Sequence, residues 1–450
     1  MNQLRRFAVL FLVAGMLLGV RIATATATAD GARLGIRTGN TNDIEADRFF
    51  GGPMVTFDIN LNPSALQSLR ESPRDYVRAE IEVDGRTYRD VGIRIKGARG
   101  SRRDIDGKPA LTLIFDRFMD DQSFRGLDKI NLNNSVQDPS LLNGATGSGL
   151  YRRAGLPTAR STHAWVRMNG RDRGLYVVEE GYDSLFISRH IPDKGWKLGN
   201  LYDGGFLQDV TDGLEKDAGA GPDDESDLRR LAEAAESPLR DRTQRLESTL
   251  DVDRFLTFVA GQILADDWDG YPRKSNNHRL YIPPDGHAVF IPHGMDQLFR
   301  QPHSSIEPEW GGLVAARAFE IPELSTRLTE MLAQHFTPSI VSNQIQGIVT
   351  RLQRGTEGRP STEWSLLERE IRQQERRILQ RLRSVERQLQ GSLAHADAAP
   401  VALGALEWRH RTLSGSARFA MAGENQQWRP LQIEATTRET VASKRAMALL

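Results

Sequence analysis

The chain has 450 residues with 59 basic and 59 acidic side chains, so its formal net charge is zero. This balance argues against binding to nucleic acid or an anionic membrane through an overall positive field. Cysteine is absent from the sequence, which excludes disulfide bonds, thiolate zinc sites and a cysteine nucleophile. With 39% hydrophobic and 26% charged residues, the composition is that of an ordinary globular protein with a substantial core.

The N-terminus has the pattern of a secretory signal peptide. Arg5 and Arg6 precede the apolar run FAVLFLVAGMLLGV, and the small-residue stretch ATATATADG follows it. This run is short for a membrane-spanning helix, which needs about 20 apolar residues. We therefore expect residues 1–29 to be a signal peptide and the protein to be secreted or to work in the cell envelope, without an integral membrane span after cleavage. An uncleaved anchor is the alternative.

Strand patterns begin after a polar segment, residues 30–52, which we expect to be flexible. MVTFDINL and YVRAEIEVDGRTYRDVGIRIKG alternate apolar and polar residues, and Asp84-Gly85 favours a tight hairpin turn in the second segment. PALTLIFD and LDKINLNN predict two more strands, and HAWVRMNGRDRGLYVVEE predicts a hairpin around Asn169-Gly170. Between these strands, residues 138–154 predict a helix.

Helical patterns dominate the second half of the chain, where residues 203–226 resemble a surface insertion rich in glycine and acids. The sequence predicts an α+β fold, with an antiparallel β-rich lobe over residues 53–180 and a helical lobe over residues 181–390. We expect a cleft where the two lobes meet. Residues 391–450 are rich in alanine, and the pattern assigns them no role.

The densest chemical stretch runs from Leu264 to Phe299. It contains Asp269 after an apolar helix, the pair Asn276-Asn277, and Asp296 after a strand-like segment. Phosphoryl transfer needs a carboxylate that orients or deprotonates the acceptor, and oxygen ligands such as Asp and Asn for Mg²⁺. The order is similar to the catalytic loop and metal-binding Asp of protein kinases, although neither H-R-D nor D-F-G occurs. On residue types alone, a polar loop that only makes turns is the alternative.

Several segments in order, from Pro53 to Gln390, resemble the CotH kinase family, the spore-coat-protein-H-like secretory atypical kinases. GIRIKG resembles its G-x-R-x-K-G segment, and LDKINLNNSVQDPS resembles its K-x-L-N-L-N-N…D-x-S segment. NGRDRGLYVVEE is similar to its N-G-x-x-x-G-L-Y-x-x-x-E segment. WDGYPRKSNNHRLY and PHGMD are similar to W-D-x-Y…N-N-x-x-x-Y and P-x-x-x-D.

The resemblance implies an atypical protein-kinase-like, two-lobed fold and a kinase that transfers the γ-phosphoryl group of ATP to a Ser or Thr hydroxyl. Its protein substrate would be extracytoplasmic, and Mg²⁺ or Mn²⁺ would be needed. Asp269 would be the catalytic acid that orients the hydroxyl or accepts its proton. Asn277, or alternatively Asn276, would ligate the metal together with Asp296.

The resemblance also implies a nucleotide site. Lys96 and Lys108 are both candidates for the lysine that contacts the phosphates, and the sequence does not choose between them. Glu179 lies where a hinge between kinase lobes would run. The loop whose backbone would cover the phosphates contributes Gly97, Gly100 and Ser101.

The chain departs from the family pattern at Gly294, where many members carry an acid. The departure leaves open a catalytically inactive, pseudokinase-like scaffold at the cell surface or envelope. A nucleotidyl (AMP) transferase on the same fold is another alternative, because it would use the same residues. We expect no nucleic-acid partner.

Overall fold

The computed structural model describes residues 41–97, 100–191, 199–335 and 338–398, and three strands over 407–409, 417–422 and 428–433. The expected signal peptide lies outside these residues. Within them, none of the helices has the length and apolar character needed to cross a membrane. The chain divides into a compact unit up to Leu382 and a second unit from Arg383, which contains an antiparallel three-stranded sheet.

The first half of the larger unit consists mainly of strands. Its elements in chain order are α1 (Thr41–Gly51), β1 (Val55–Asn60), α2 (Pro63–Glu71), β2 (Val77–Val83), β3 (Arg86–Lys96), β4 (Ala110–Ile114), β5 (Lys129–Asn133), α3 (Asn143–Arg153), β6 (Ser161–Met168) and β7 (Arg171–Glu180). The strands predicted from the alternating segments are all present. The helix expected at residue 138 begins five residues later, at Asn143.

The seven strands close into a barrel in the order β1-β2-β3-β4-β5-β7-β6. Neighbouring strands are antiparallel except β1 and β6, which pair in parallel and place Val55 opposite Ala164. Both predicted hairpin turns have positive φ at their two central residues, 51° and 73° at Asp84-Gly85 and 48° and 73° at Asn169-Gly170. That geometry matches the twist of the flanking strands, which is why these dipeptides select the hairpins.

An aromatic cluster fills the barrel. The ring centroids of Phe49 and Phe124 lie 4.9 Å apart, edge to face, and Phe57 and Phe115 pack against the same Phe124 ring. Phe49 belongs to α1, whose residues Thr41–Gly51 were expected to be part of a flexible segment. They form a helix instead, because Phe49 and its neighbour Phe50 are buried against the barrel core.

The second half of the larger unit is mainly helical. Its elements are α4 (Ser184–His190), β8 (Asn200–Asp203), β9 (Glu215–Gly219), α5 (Ser226–Glu236), α6 (Leu239–Glu247), α7 (Val252–Leu264), α8 (Tyr271–Lys274), β10 (His278–Ile282), β11 (Val289–Pro292), α9 (Leu313–Ala318), α10 (Pro322–His335), α11 (Pro338–Gly355) and α12 (Ser361–Ala398), which continues into the second unit. A sheet in the order β11-β10-β8-β9 lies among these helices. Residues 203–226, expected to be a surface insertion, contain its edge strand β9. The α+β prediction is confirmed.

A buried charge network surrounds the end of β7. Glu180 is 1% exposed and contacts Arg160 at 2.8 Å, His190 at 3.1 Å and Arg189 at 3.2 Å. Arg160 also reaches Asp47 of α1 at 2.7 Å. Burial alone raises the pKa of Glu180, but His190 and Arg160 hold it well below its usual range. The network thereby connects α1, β7 and α4.

Replacing Glu180 with alanine should destabilise the protein by about 3 kcal/mol, because the buried Arg160 and Arg189 lose their buried carboxylate partner and keep only the more exposed Asp47 and Asp43. Chemical denaturation measures the change in the free energy of unfolding. The matched control is Glu80→Ala, which removes an exposed partner of Arg89 at 3.4 Å and should cost less than about 1 kcal/mol. Equal losses in the two variants would contradict a structural role for the network.

Candidate active site

The central loop of the site lies between α7 and β10. Helix α7 is apolar and buried, ends at Leu264, and is followed by Asp269 and the one-turn helix α8. Ser275 and Asn277 then have left-handed backbone conformations, with φ of 46° and 51°. Each turns the chain sharply, so that the residues after α8 fold back towards Asp269 before β10 begins.

Asp269 is held by both asparagines of the predicted pair. The side-chain amide of Asn277 donates to Asp269 Oδ1 at 2.7 Å, and that of Asn276 donates to Oδ2 at 3.2 Å. Partial burial raises the pKa of Asp269, and the two amide hydrogen bonds oppose this shift. The structure thus brings together three of the residues singled out from the sequence.

Gly294 makes the contact between Asn277 and Asp269 possible. A Cβ atom at position 294 would lie 2.3 Å from Asn277 Oδ1 and 2.5 Å from its Cγ. The backbone there also has φ of 64°, which favours glycine. The space that an acidic side chain would occupy in this position is therefore filled by the Asn277 amide.

Asp296 lies two residues further on, in a 3₁₀ turn over Met295–Gln297. Burial, together with the charges of Glu179 and Asp138, raises its pKa to about 7, and Lys96 opposes this shift. Lys96 Nζ lies 3.7 Å from Glu179 Oε2, and both side chains are mostly buried. Lys96, Glu179, Asp138 and Asp296 are therefore electrostatic neighbours on one side of the site.

One face of the barrel supplies Lys96 and Glu179. Ile93 and Ile95 of β3 point into the barrel core, so Arg94 and Lys96 lie on the opposite face. The strand register places Arg94 opposite Thr112, Thr112 opposite Asn131, and Asn131 opposite Glu179. Thr112 Oγ1 donates to Asn131 Oδ1 at 3.0 Å. A polar row thus crosses four strands, and no single segment of sequence reveals it.

Asp138 was expected from the sequence to begin a helix and to belong to the D-x-S segment, without a role in the site, but it acts on Asp296. Its buried carboxylate accepts a hydrogen bond from the Asn143 backbone N–H at 2.8 Å. The Asn143 side chain donates to the Asp296 carbonyl at 3.0 Å and accepts from Gln374 at 2.6 Å. Burial raises the pKa of Asp138 to about 6. The Asp-Pro-Ser sequence therefore contains a residue that, through Asn143, stabilises the turn of Asp296.

Lys108 makes different contacts from Lys96, although the strand register places Lys96 opposite Ala110, two residues after Lys108. Its ammonium is 5.1 Å from the centroid of Tyr176, a residue of the barrel core, and burial lowers its pKa to about 8. The Asn134 side chain donates to the carbonyls of Ser101 and Lys108 at 3.0 and 2.9 Å, which anchors the described part of the loop. The loop glycines Gly97 and Gly100 both have positive φ, 102° and 94°.

Asp266 connects the loop after α7 to residues 301–304. It accepts hydrogen bonds from the Gln301 backbone N–H and the Ser304 hydroxyl, both at 2.6 Å, and pairs with Arg273 at 3.2 Å. Its role is therefore to fix the loop that carries Asp269.

The donor set fits one hard cation at Asp296. Among the described residues, no three His, Cys, Asp or Glu side chains converge as a preformed metal site. Mg²⁺ commonly takes only one or two protein ligands and completes its shell with phosphate and water oxygens. Asp296 is buried and experiences the negative charge of Glu179, so a bound cation would stabilise its ionised form. The Asn277 amide oxygen lies beside Gly294, which is two residues before Asp296 in the sequence.

The chain is similar to known proteins. A family model described as CotH kinase protein matches residues 93–385. The inner spore coat protein H of Bacillus subtilis (strain 168) is 24% identical over 247 residues, covering 50% of this chain and 63% of that protein. The chain thus spans less than two thirds of the length of this relative.

Gly294→Ala should destabilise the protein more than Gly286→Ala, by about 1–3 kcal/mol, because the Asn277 amide must move. Gly286 is the matched control, since its φ of 84° imposes the same backbone strain but nothing lies within 4 Å of an added Cβ. Thermal denaturation and the side-chain amide NMR signal of Asn277 report the two effects. Equal destabilisation with an unshifted signal would show that Asn277 is not confined by Gly294.

Proposed function

Because this chain belongs to the CotH kinase protein family, we propose that it transfers the γ-phosphoryl group of ATP to a Ser or Thr hydroxyl of an extracytoplasmic protein. In this proposal the barrel is the β-rich lobe of an atypical kinase-like fold, and the following helices form the second lobe. The observation that carries the proposal is Asp269 held by Asn276 and Asn277, with Asp296 beside the Lys96–Glu179 pair.

Asp269 binds the acceptor hydroxyl of the substrate. One carboxylate oxygen orients the substrate hydroxyl and takes its proton as the oxygen attacks phosphorus. The Asn276 and Asn277 amides fix the plane of this carboxylate, so the acceptor meets one defined direction of approach. Because burial raises the pKa of Asp269, the group is a stronger base than an exposed aspartate.

Lys96 is the group that holds the phosphates. Glu179 keeps its ammonium directed into the site, as an ion pair does for the phosphate-binding lysine of protein kinases. Mg²⁺ or Mn²⁺, held by Asp296 with Asn277 or Asn276, would neutralise charge on the phosphates when bound. The backbone of the loop that contains Gly97, Gly100 and Ser101 would cover the phosphates.

In this proposal the missing acid at Gly294 is compatible with catalysis, because a Cβ atom there would displace the Asn277 amide that contacts Asp269.

Asp269→Asn should reduce phosphoryl transfer by about 10²–10⁴-fold without unfolding the protein, because an amide does not accept the hydroxyl proton. Transfer from γ-labelled ATP to a mixture of extracytoplasmic proteins, or to the chain itself, is the measurement. Asp285→Asn, an exposed change in the turn between β10 and β11, is the matched control. Transfer from α-labelled ATP would instead indicate AMP transfer. If the folded wild-type protein transferred neither label with Mg²⁺ or Mn²⁺, the result would favour the catalytically inactive scaffold.

Lys96→Met should weaken ATP binding by at least about tenfold, since a charge-assisted hydrogen bond to phosphate is lost. Lys108→Met should change it by less than about twofold, because Lys108 packs on Tyr176 rather than beside Asp296. Calorimetric titration of ATP with Mg²⁺ into each variant compares the two lysines. The opposite ranking would assign the phosphate contact to Lys108.

A further inference from the structure

A cluster of arginines lies beside the proposed nucleotide site and is not used by it. We call Arg74, Tyr76, Arg94 and Arg117 the arginine patch. Arg94 stands two residues before Lys96 on the same face of β3, a spacing of roughly 7 Å along a strand. The patch therefore adjoins the position where the phosphoryl group would be transferred.

Contacts to one tyrosine hold the patch together. The guanidinium carbons of Arg94 and Arg117 lie 4.8 and 5.1 Å from the centroid of the Tyr76 ring. The Arg74 guanidinium donates to the Gly97 carbonyl, directly after Lys96. Burial lowers the pKa of Arg74, and the positive charges of Arg94 and Arg102 lower it further, which shows that these groups repel one another.

The positive charges of the patch lack counter-charges. In the described part of the chain, Arg74, Arg94 and Arg117 have no carboxylate within ion-pair distance, and Arg94 Nε is buried without a hydrogen-bond partner. Asp217, the acid that acts on Tyr76, shares Arg279 with Asp203, so it lies near the patch without an ion pair to it.

Three other arginines in the same half of the chain have carboxylate partners. Arg70 pairs with Asp106 at 2.9 Å, Arg78 with Asp90 at 3.1 Å and Arg89 with Glu80 at 3.4 Å. Converging unpaired guanidinium groups disfavour the empty state, and a bound oxyanion relieves that repulsion. Guanidinium groups also match carboxylate and phosphate oxygens in a two-point geometry.

We propose that the arginine patch binds an acidic residue, a carboxylate or a phosphorylated side chain, next to the hydroxyl of the protein acceptor. The substrate class is then Ser or Thr in an acidic segment. This inference rests on the proposed function. The acceptor is favoured over the nucleotide because Arg74 and Arg117 are exposed to solvent, whereas Lys96 and Asp296 occupy the buried position expected for the transferred phosphate.

The test measures binding separately from catalysis. Two fluorescent peptides of equal length carry a central Ser flanked by Asp and Glu or by Ala, and are titrated into the full chain with Asp269→Asn to prevent turnover. The acidic peptide should bind at least about tenfold tighter, and salt should weaken it more than the neutral peptide. Arg74→Glu or Arg117→Glu should abolish the difference. Arg89→Glu is the control, because it makes the same charge change on β3 outside the patch.

Each outcome decides the proposal. Equal binding of the two peptides by the parent chain would overturn it, as would a preference that survives both Arg74→Glu and Arg117→Glu. Weakened ATP binding with unchanged peptide preference would assign the patch to nucleotide phosphates instead. If Arg117→Gln loses the preference for the acidic peptide at an unchanged melting temperature, the result supports the proposal even where a charge-reversal variant misfolds. An acidic preference without γ-phosphoryl transfer would refute the proposed function and retain the binding site.

Discussion

The alternation of side chains in the closed barrel is the constraint on which the site depends. Aromatic and aliphatic residues fill the interior, so every second residue of β3, β4, β5 and β7 is forced onto the other face. The register of the strands then aligns Thr112 and Asn131 between Arg94 and Glu179. A shift of one residue in any of these strands would move polar groups into the core and remove them from the site.

Two adjacent glutamates on β7 have different roles, because neighbouring residues of a strand face opposite sides of the sheet. Glu179 pairs with Lys96 and acts on Asp296, whereas Glu180 lies on the other side of β7 in the network with Arg160, Arg189 and His190. The second glutamate fixes the end of the strand that presents the first. The strength of the buried network therefore sets how well the Lys96–Glu179 pair is oriented.

Local patterns in the sequence predicted the local features of the fold. The Asp84-Gly85 and Asn169-Gly170 turns and the buried helix before Asp269 follow from turn chemistry and hydrophobic periodicity, and the structure contains all of them. The parallel pairing of β1 with β6 was not predictable, because it joins segments about a hundred residues apart whose side chains carry no mark of their partner. Helix α1 was missed because its sequence is mostly polar and its buried pair, Phe49 and Phe50, stands only at its end.

The same distinction applies to the site. Asp269, Asn276 and Asn277 are neighbours along the chain, so their contact follows from one loop. Tertiary structure determines the roles of Asp138, Thr112 and Asn131, so short sequence motifs do not reveal them. The choice between Lys96 and Lys108 likewise needs the contacts of each side chain, because both lysines stand beside a glycine near one end of a strand.

Gly294 and Asn277 cannot be judged as independent positions. A side chain at one excludes the amide of the other from its present place, so the two residues form a pair that sequence change must alter together. An acidic side chain introduced at position 294 of this chain would therefore displace the Asn277 amide rather than restore a missing ligand. A motif that scores each position separately would rank such a variant as closer to the family pattern, although it would have lost one of the two amides that orient Asp269.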